Sequence, residues 1–153
     1  MTGITATTLV SALRTTTAAA AALLLARLLK LPEFYWAPIS AIVVIESTID
    51  PRTIAWQRFA GTALGAALGA VVGTFFSSGV MVYAAAILVC GVACTILRLR
   101  GAYRFAAITV STILLIAHNR PAWSVAVHRC LEVSLGIAVG LVLALLWPIR
   151  AQD

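Results

Sequence analysis

Two halves of this chain match when one is slid 71 residues along the other, and each half holds three apolar segments. Arg27 falls on Arg98, Phe34 on Phe105, Ser40 on Ser111, Arg58 on Arg129, Gly65 on Gly136 and Gly69 on Gly140. Apolar coincidences are cheap in a chain rich in Ala, Leu and Val, so the matched Arg, Phe and Gly pairs carry the argument. An odd number of spans per copy turns the second copy upside down in a bilayer. Transporters are often built this way, with the site where the copies meet. The expected fold is an all-α integral membrane protein, with six transmembrane helices arranged as two inverted three-helix repeats. Repeat one covers about 9–77 and repeat two about 80–148, in a single membrane module over 1–153 with no soluble domain.

Composition supports a bilayer partner. Of the 153 residues, 62% are hydrophobic and 10% are charged, whereas soluble domains carry about a quarter charged residues. The net charge of +6 does not point to nucleic acid, because the basic residues stand singly at segment ends, as membrane topology requires. Cys90 and Cys94 lie one turn apart in an apolar run without His or acid beside them, so they read as packing residues and no metal is expected. Arg27 and Lys30 follow the first apolar run where a signal-peptide cleavage site would be small and neutral, so that run reads as a retained helix.

Six spans are expected: Leu9 to Leu31, Phe34 to Ile49, Pro51 to Ser77, Val80 to Leu99, Ala102 to Ala117 and Ala122 to Trp147. Asp50 and Pro51 form a helix start, a cap followed by a residue suited to the first helical position. Pro121 marks a second start, and Trp147-Pro148 a stop. With both termini cytoplasmic, the inner side holds Arg14, Arg52, Arg58, Arg98, Arg100, Arg104 and Arg150. The outer side then holds Arg27, Lys30, Arg120 and Arg129, an asymmetry that fits the positive-inside rule.

The second and fifth spans are the shortest and occupy matching places. Pro38 interrupts one, and Thr109, Ser111 and Thr112 weaken the other. Such spans point to a substrate site near the midplane, making Ser40 and Ser111 candidate donors, although each could simply bond its own helix. Gly61, Gly65, Gly69 and Gly73 make one small-residue row, and Gly136 and Gly140 another. These rows read as helix-packing ridges, with one row left over for a homodimer.

Arg58 and Arg129 lie about two turns inside their helices. Such residues snorkel, pair or face a wet cavity; as substrate-binding groups they would set one cation near each mouth of an anion path. Trp36 would supply a ring surface for an aromatic substrate. Glu132 follows Arg129 by three residues and His128 by four, so it reads either as an intrahelical ion-pair partner or as a proton-coupling acid. No phosphate loop, metal cluster or nucleophile–base pair is present in the sequence, so no enzyme and no cofactor is expected.

The segments WAPISA (Trp36 to Ala41) and RFAGTALGAALG (Arg58 to Gly69), with Arg129, Gly136, Gly140 and Trp147-Pro148, resemble the fusaric acid resistance-like family. That group includes bacterial aromatic acid exporters and is related to plant aluminium-activated malate transporters. The resemblance implies a bacterial-type inner-membrane module that exports small organic anions, often aromatic carboxylates. The larger exporters carry two such modules and a cytoplasmic domain, so a single module implies a homo-oligomer. A non-transporting membrane assembly subunit is the alternative.

Overall fold

A computed structural model describes residues 6–76, 79–115 and 120–147. They form α1 (Ala6–Leu28), α2 (Trp36–Ile45), α3 (Pro51–Phe75), α4 (Val80–Ile96), α5 (Tyr103–Leu115) and α6 (Ala122–Leu146), with a 3₁₀ turn at Arg100–Ala102 before α5. Pro148 and Arg150, and the C-terminal ends of the third and fifth expected spans, lie outside the described residues. Large apolar side chains point outward along the bundle: Leu24 and Leu28 on α1, Phe75 on α3, Met81 and Ile96 on α4, and Leu145 on α6. Facing outward in this way suits lipid rather than water.

Three helices, α1, α3 and α6, are long and apolar enough to cross a membrane. This revises six full spans. α2 has 10 residues, about 15 Å of helix against a hydrocarbon core of about 30 Å. Pro38 is its third residue, where no intrahelical N–H bond is lost. The expected cap of α3 is present: the Asp50 carboxylate accepts from the Thr53 backbone N–H at 3.0 Å, and Pro51 follows.

α3 and α6 form the centre. Ile54 clusters with Val133 and Ile137, while Ala66 clusters with Val125 and Ala126, so the two helices run antiparallel. α5 lies along α3 and α2 along α6. α1 covers α2 through Ala18, Ala22 and Ala26. α4 covers α5 through Ala86, Cys90 and Cys94, which puts both cysteines in the packing role expected of them.

Burial patterns match between the halves, but not at one offset. Ile54, Ala55, Arg58, Gly61, Thr62, Gly65, Ala66 and Gly69 of α3 are buried, and so are the residues 71 later in α6, from Val125 to Gly140. Buried Ala37, Ser40, Ala41 and Val44 of α2 match Ala106, Thr109, Val110 and Ile113 of α5, an offset of 69. Ala18, Ala22 and Ala26 match Ala86, Cys90 and Cys94, an offset of 68. The ungapped slide therefore mispairs the outer helices, and the structural counterpart of Ser40 is Thr109 rather than Ser111.

The ends of α1 and α4 repeat at the same 68. Among the described residues, Lys30 (φ 53°) and Arg98 (φ 57°) are the positive-φ residues other than glycine. Lys30 N–H donates to Arg27 O and Leu31 N–H to Ala26 O; Arg98 N–H donates to Thr95 O and Leu99 N–H to Cys94 O. Both are Schellman turns with a basic residue where glycine is usual. A left-handed L-residue costs roughly 1–2 kcal/mol, offset in part by a cation at a helix C-terminus. Arg98→Gly should therefore raise stability in detergent by up to about 1 kcal/mol, checked by thermal unfolding; a lower melting temperature would show that the charge matters more.

The glycine rows pack inside the protomer. A Cβ on Gly65 would lie 2.4 Å from Ala106 O on α5, and one on Gly136 would lie 2.1 Å from Ala37 O on α2. Gly61 and Gly69 meet α5, Gly73 meets Ala122, and Gly140 meets Val44 and Ala41. No row is left over for a dimer face, contrary to expectation, because α2 and α5 each occupy one.

Candidate functional site

Arg58 and Arg129 come from α3 and α6, the two central helices. They are 6% and 1% exposed, so neither snorkels. Both guanidinium groups line one cavity of about 10 Å³, with Trp36, Thr62, Phe105, Ile108, Thr109 and Val133. The expectation of one cation at each mouth fails. The antiparallel packing of α3 on α6 brings the equivalent positions together instead of spreading them.

Each arginine stacks on an aromatic residue from the other half. The Arg58 guanidinium carbon lies 5.0 Å from the centre of the Phe105 ring, and that of Arg129 lies 3.3 Å from the Trp36 ring. Phe105 and Trp36 correspond at the same 69 offset that relates α2 to α5. Arg104 approaches the Phe105 ring as well, at 4.6 Å. Cation–π stacking in a dry setting holds the guanidinium plane in place without consuming its N–H donors.

Ser40 belongs to the site and Ser111 does not. Arg58 Nη2 donates to Ser40 Oγ at 3.0 Å, and Ser40 Oγ donates to Trp36 O at 2.7 Å. Ser111 bonds Ala107 O and Tyr83 Oη, on the side that faces α4. Thr109 takes the inward place, its Oγ1 bonding Phe105 O at 2.9 Å.

Glu132 does not pair with Arg129. It is fully buried, and its Oε1 accepts the Glu33 backbone N–H at 2.8 Å. The carboxylate that meets Arg129 is that of Glu33, in the turn between α1 and α2, with Arg129 Nη1 3.6 Å from Glu33 Oε2. His128 turns back to Ser124 O at 2.7 Å. The expected ion pair along α6 is thus replaced by one with a neighbouring turn, because α2 packs its N-terminal end against this part of α6. Sequence reasoning missed Glu33, since a residue in a turn has no helical periodicity to place it.

Neither acid has a counterpart beside Arg58. At the burial-matched positions Gly61 stands for Glu132 and Ala102 for Glu33. The pairing itself is kept, since a Cβ on Gly61 would lie 2.3 Å from Ala102 O. The two arginines are thus equivalent in position and unequal in charge environment.

Seven buried side-chain atoms among the described residues have no hydrogen-bond partner. Six of them surround this site: Glu33 Oε2, Trp36 Nε1, Arg58 Nε, Arg129 Nη1 and Nη2, and Glu132 Oε2. Four of the six are donors on residues that line the cavity. Buried donors are nearly always bonded in folded proteins; Arg129 Nη1 and Glu33 Oε2 face each other at 3.6 Å, which leaves Trp36 Nε1, Arg58 Nε and Arg129 Nη2 as the donors without an acceptor. Among the described residues no group of His, Cys, Asp and Glu could hold a metal ion.

A second, larger space of about 510 Å³ lies beyond Phe105, lined by Glu46, Ser47, Thr48, Ile54 and Arg104 among others. Phe105 borders both spaces.

Apolar helices with a buried arginine pair between them define a multi-pass membrane protein. The chain belongs to the fusaric acid resistance protein-like family, whose pattern it matches over residues 18–143. The family is one of transporters rather than enzymes. No curated protein and no solved structure matches the chain.

Proposed function

We propose that the chain is a permease or channel for small organic anions, with aromatic carboxylates as the favoured class and the arginine pair as their binding site. The observation that carries the reading is the set of unbonded donors on Trp36, Arg58 and Arg129 around one cavity. A carboxylate has two oxygens and about four acceptor positions, and guanidinium groups bind it with strong, charge-assisted bonds. Phe105 and Trp36 offer ring faces to an aromatic substrate.

The described state is a closed one. A cavity of about 10 Å³ has room for one water at most. An aromatic acid enters only if Phe105 turns aside on the vestibule side, or if Trp36 and the Glu33 turn move on the other. Two matched aromatic gates around a shared site are what alternating access between inverted repeats requires. The equivalent burial of α3 and α6, and the matching Schellman turns, support that inversion. Expected consequences are opposite faces for Lys30 and Arg98. Single cysteines at these positions, in a background without Cys90, Cys94 and Cys130, should react with an impermeant thiol reagent from opposite sides, with Arg98 cytoplasmic. Reaction from one side only would remove the inverted repeat.

The transport reading is tested by flux into proteoliposomes from a panel of carboxylates: benzoate, 4-hydroxybenzoate, malate and acetate, each above the leak of protein-free vesicles. Saturable uptake with the aromatic members leading is expected. Flux equal to the leak for the whole panel would leave a non-transporting membrane subunit as the reading.

A further inference from the structure

We infer that the site loads one proton together with each carboxylate, and that Glu132 receives it. This rests on the anion-binding reading above and adds the second species bound. The cluster holds two buried cations, Arg58 and Arg129, the buried carboxylate of Glu132 and the partly exposed carboxylate of Glu33. With both acids ionised the cluster is neutral. A bound carboxylate would make it negative by one charge, in a place largely closed to water and surrounded by apolar helices. A net charge buried in such surroundings is strongly disfavoured, and one proton restores neutrality.

Geometry selects the acid. Glu33 is committed to Arg129, and its side chain is 19% exposed, so solvent helps to keep it ionised. Glu132 is fully buried and lies beyond ion-pair distance of Arg129. One of its oxygens has a single backbone N–H and the other has no partner. The groups that face it are Arg129 and His128 on its own helix and Glu33 and Tyr35 from the α1–α2 turn. Arg58 lines the cavity with Arg129. In the empty site the two acids balance the two arginines as a group. A carboxylate bound at Arg58 adds a charge the group does not need, and Glu132, the acid without an ion pair, is left as the surplus anion. A proton from solvent then adds to its free oxygen Oε2, and leaves when the carboxylate does. The protein would thus carry the elements of the neutral acid through a site that recognises the anion.

The test is calorimetric titration of benzoate into the detergent-solubilised protein from pH 5 to 9, in pairs of buffers with different ionisation heats. Proton uptake should rise with pH toward one per benzoate, and benzoate affinity should fall tenfold per pH unit along the upper limb. Glu132→Gln should still bind, with no uptake and no such pH dependence. Should that variant fail to fold, infrared difference spectra of the wild type with ¹³C-benzoate carry the same test, through a protonated-carboxyl band that appears on binding. Benzoate binding that weakens in Arg58→Lys but takes up no proton at any pH would overturn the inference and leave the anion site standing. Uptake that persists in Glu132→Gln would overturn the choice of Glu132. An absence of benzoate binding, or binding indifferent to Arg58→Lys, would remove the anion site itself and the inference with it.

Discussion

Gly136→Leu should leave no natively packed protein. A β-carbon at this position would sit 2.1 Å from Ala37 O and 2.6 Å from the Ser40 Cβ. The first contact is with backbone, so no side-chain rotation relieves it. α2 must move away from α6, and Ser40 moves with it, away from Arg58. Overpacking a filled interior typically costs about 1–3 kcal/mol; separating two helices along a glycine row places this change at or above the upper end. Gly79→Leu is the control, since nothing lies within 4 Å of a Cβ there. Thermal unfolding and size-exclusion profiles in detergent should show loss of the native species for Gly136→Leu and none for Gly79→Leu. A wild-type melting temperature for Gly136→Leu would mean that α2 and α6 do not pack as described.

Glu33→Gln should destabilise the protein far more than Glu132→Gln. The Arg129 guanidinium is 1% exposed and meets the Glu33 carboxylate at 3.6 Å. Removing that charge leaves a buried cation unpaired, a loss of about 3–5 kcal/mol for a fully buried pair. The partial exposure of Glu33 puts the expected cost near the lower figure. Glu132→Gln keeps an oxygen that can accept the Glu33 N–H and breaks no ion pair, so its cost should be the smaller of the two. Denaturant or thermal unfolding of the two variants checks the order. The reverse order would restore the ion pair within α6 that the spacing of Arg129 and Glu132 suggests.

The parts of this molecule that local chemistry decides were legible in the sequence. Asp50 and Pro51 start α3 where a cap and a first-turn proline should. The long apolar runs make the long helices, and the glycine rows make close helix contacts. Arg58 and Arg129 stood out because arginine inside an apolar run demands a reason. What was not legible depends on three-dimensional register. The sequence slide of 71 holds for α3 and α6 but not for the outer helices, because the α2–α3 and α5–α6 connections differ by two residues in length and the α1–α2 and α4–α5 connections by one. That shift exchanged Ser111 for Thr109. A spacing signal for it exists: Ala18, Ala22 and Ala26 recur as Ala86, Cys90 and Cys94, four residues apart in both places. Arg129 found Glu33 rather than Glu132 because the α1–α2 turn folds onto α6, and no periodicity reports where a turn lands. The placing of both arginines at one cavity, instead of at two mouths, follows from the antiparallel packing of α3 on α6.

The most direct measurement is uptake of an aromatic carboxylate by proteoliposomes that hold either the wild type or Arg58→Lys, at equal reconstitution and with matched melting temperatures. Lysine keeps the charge and the reach but not the planar set of donors that bonds a carboxylate on one edge while stacking on Phe105. The arginine-pair account predicts saturable benzoate uptake by the wild type and loss of most of it in Arg58→Lys. Equal uptake by the two proteins would contradict it, leaving Arg58 as a structural cation and placing the anion path elsewhere in the bundle.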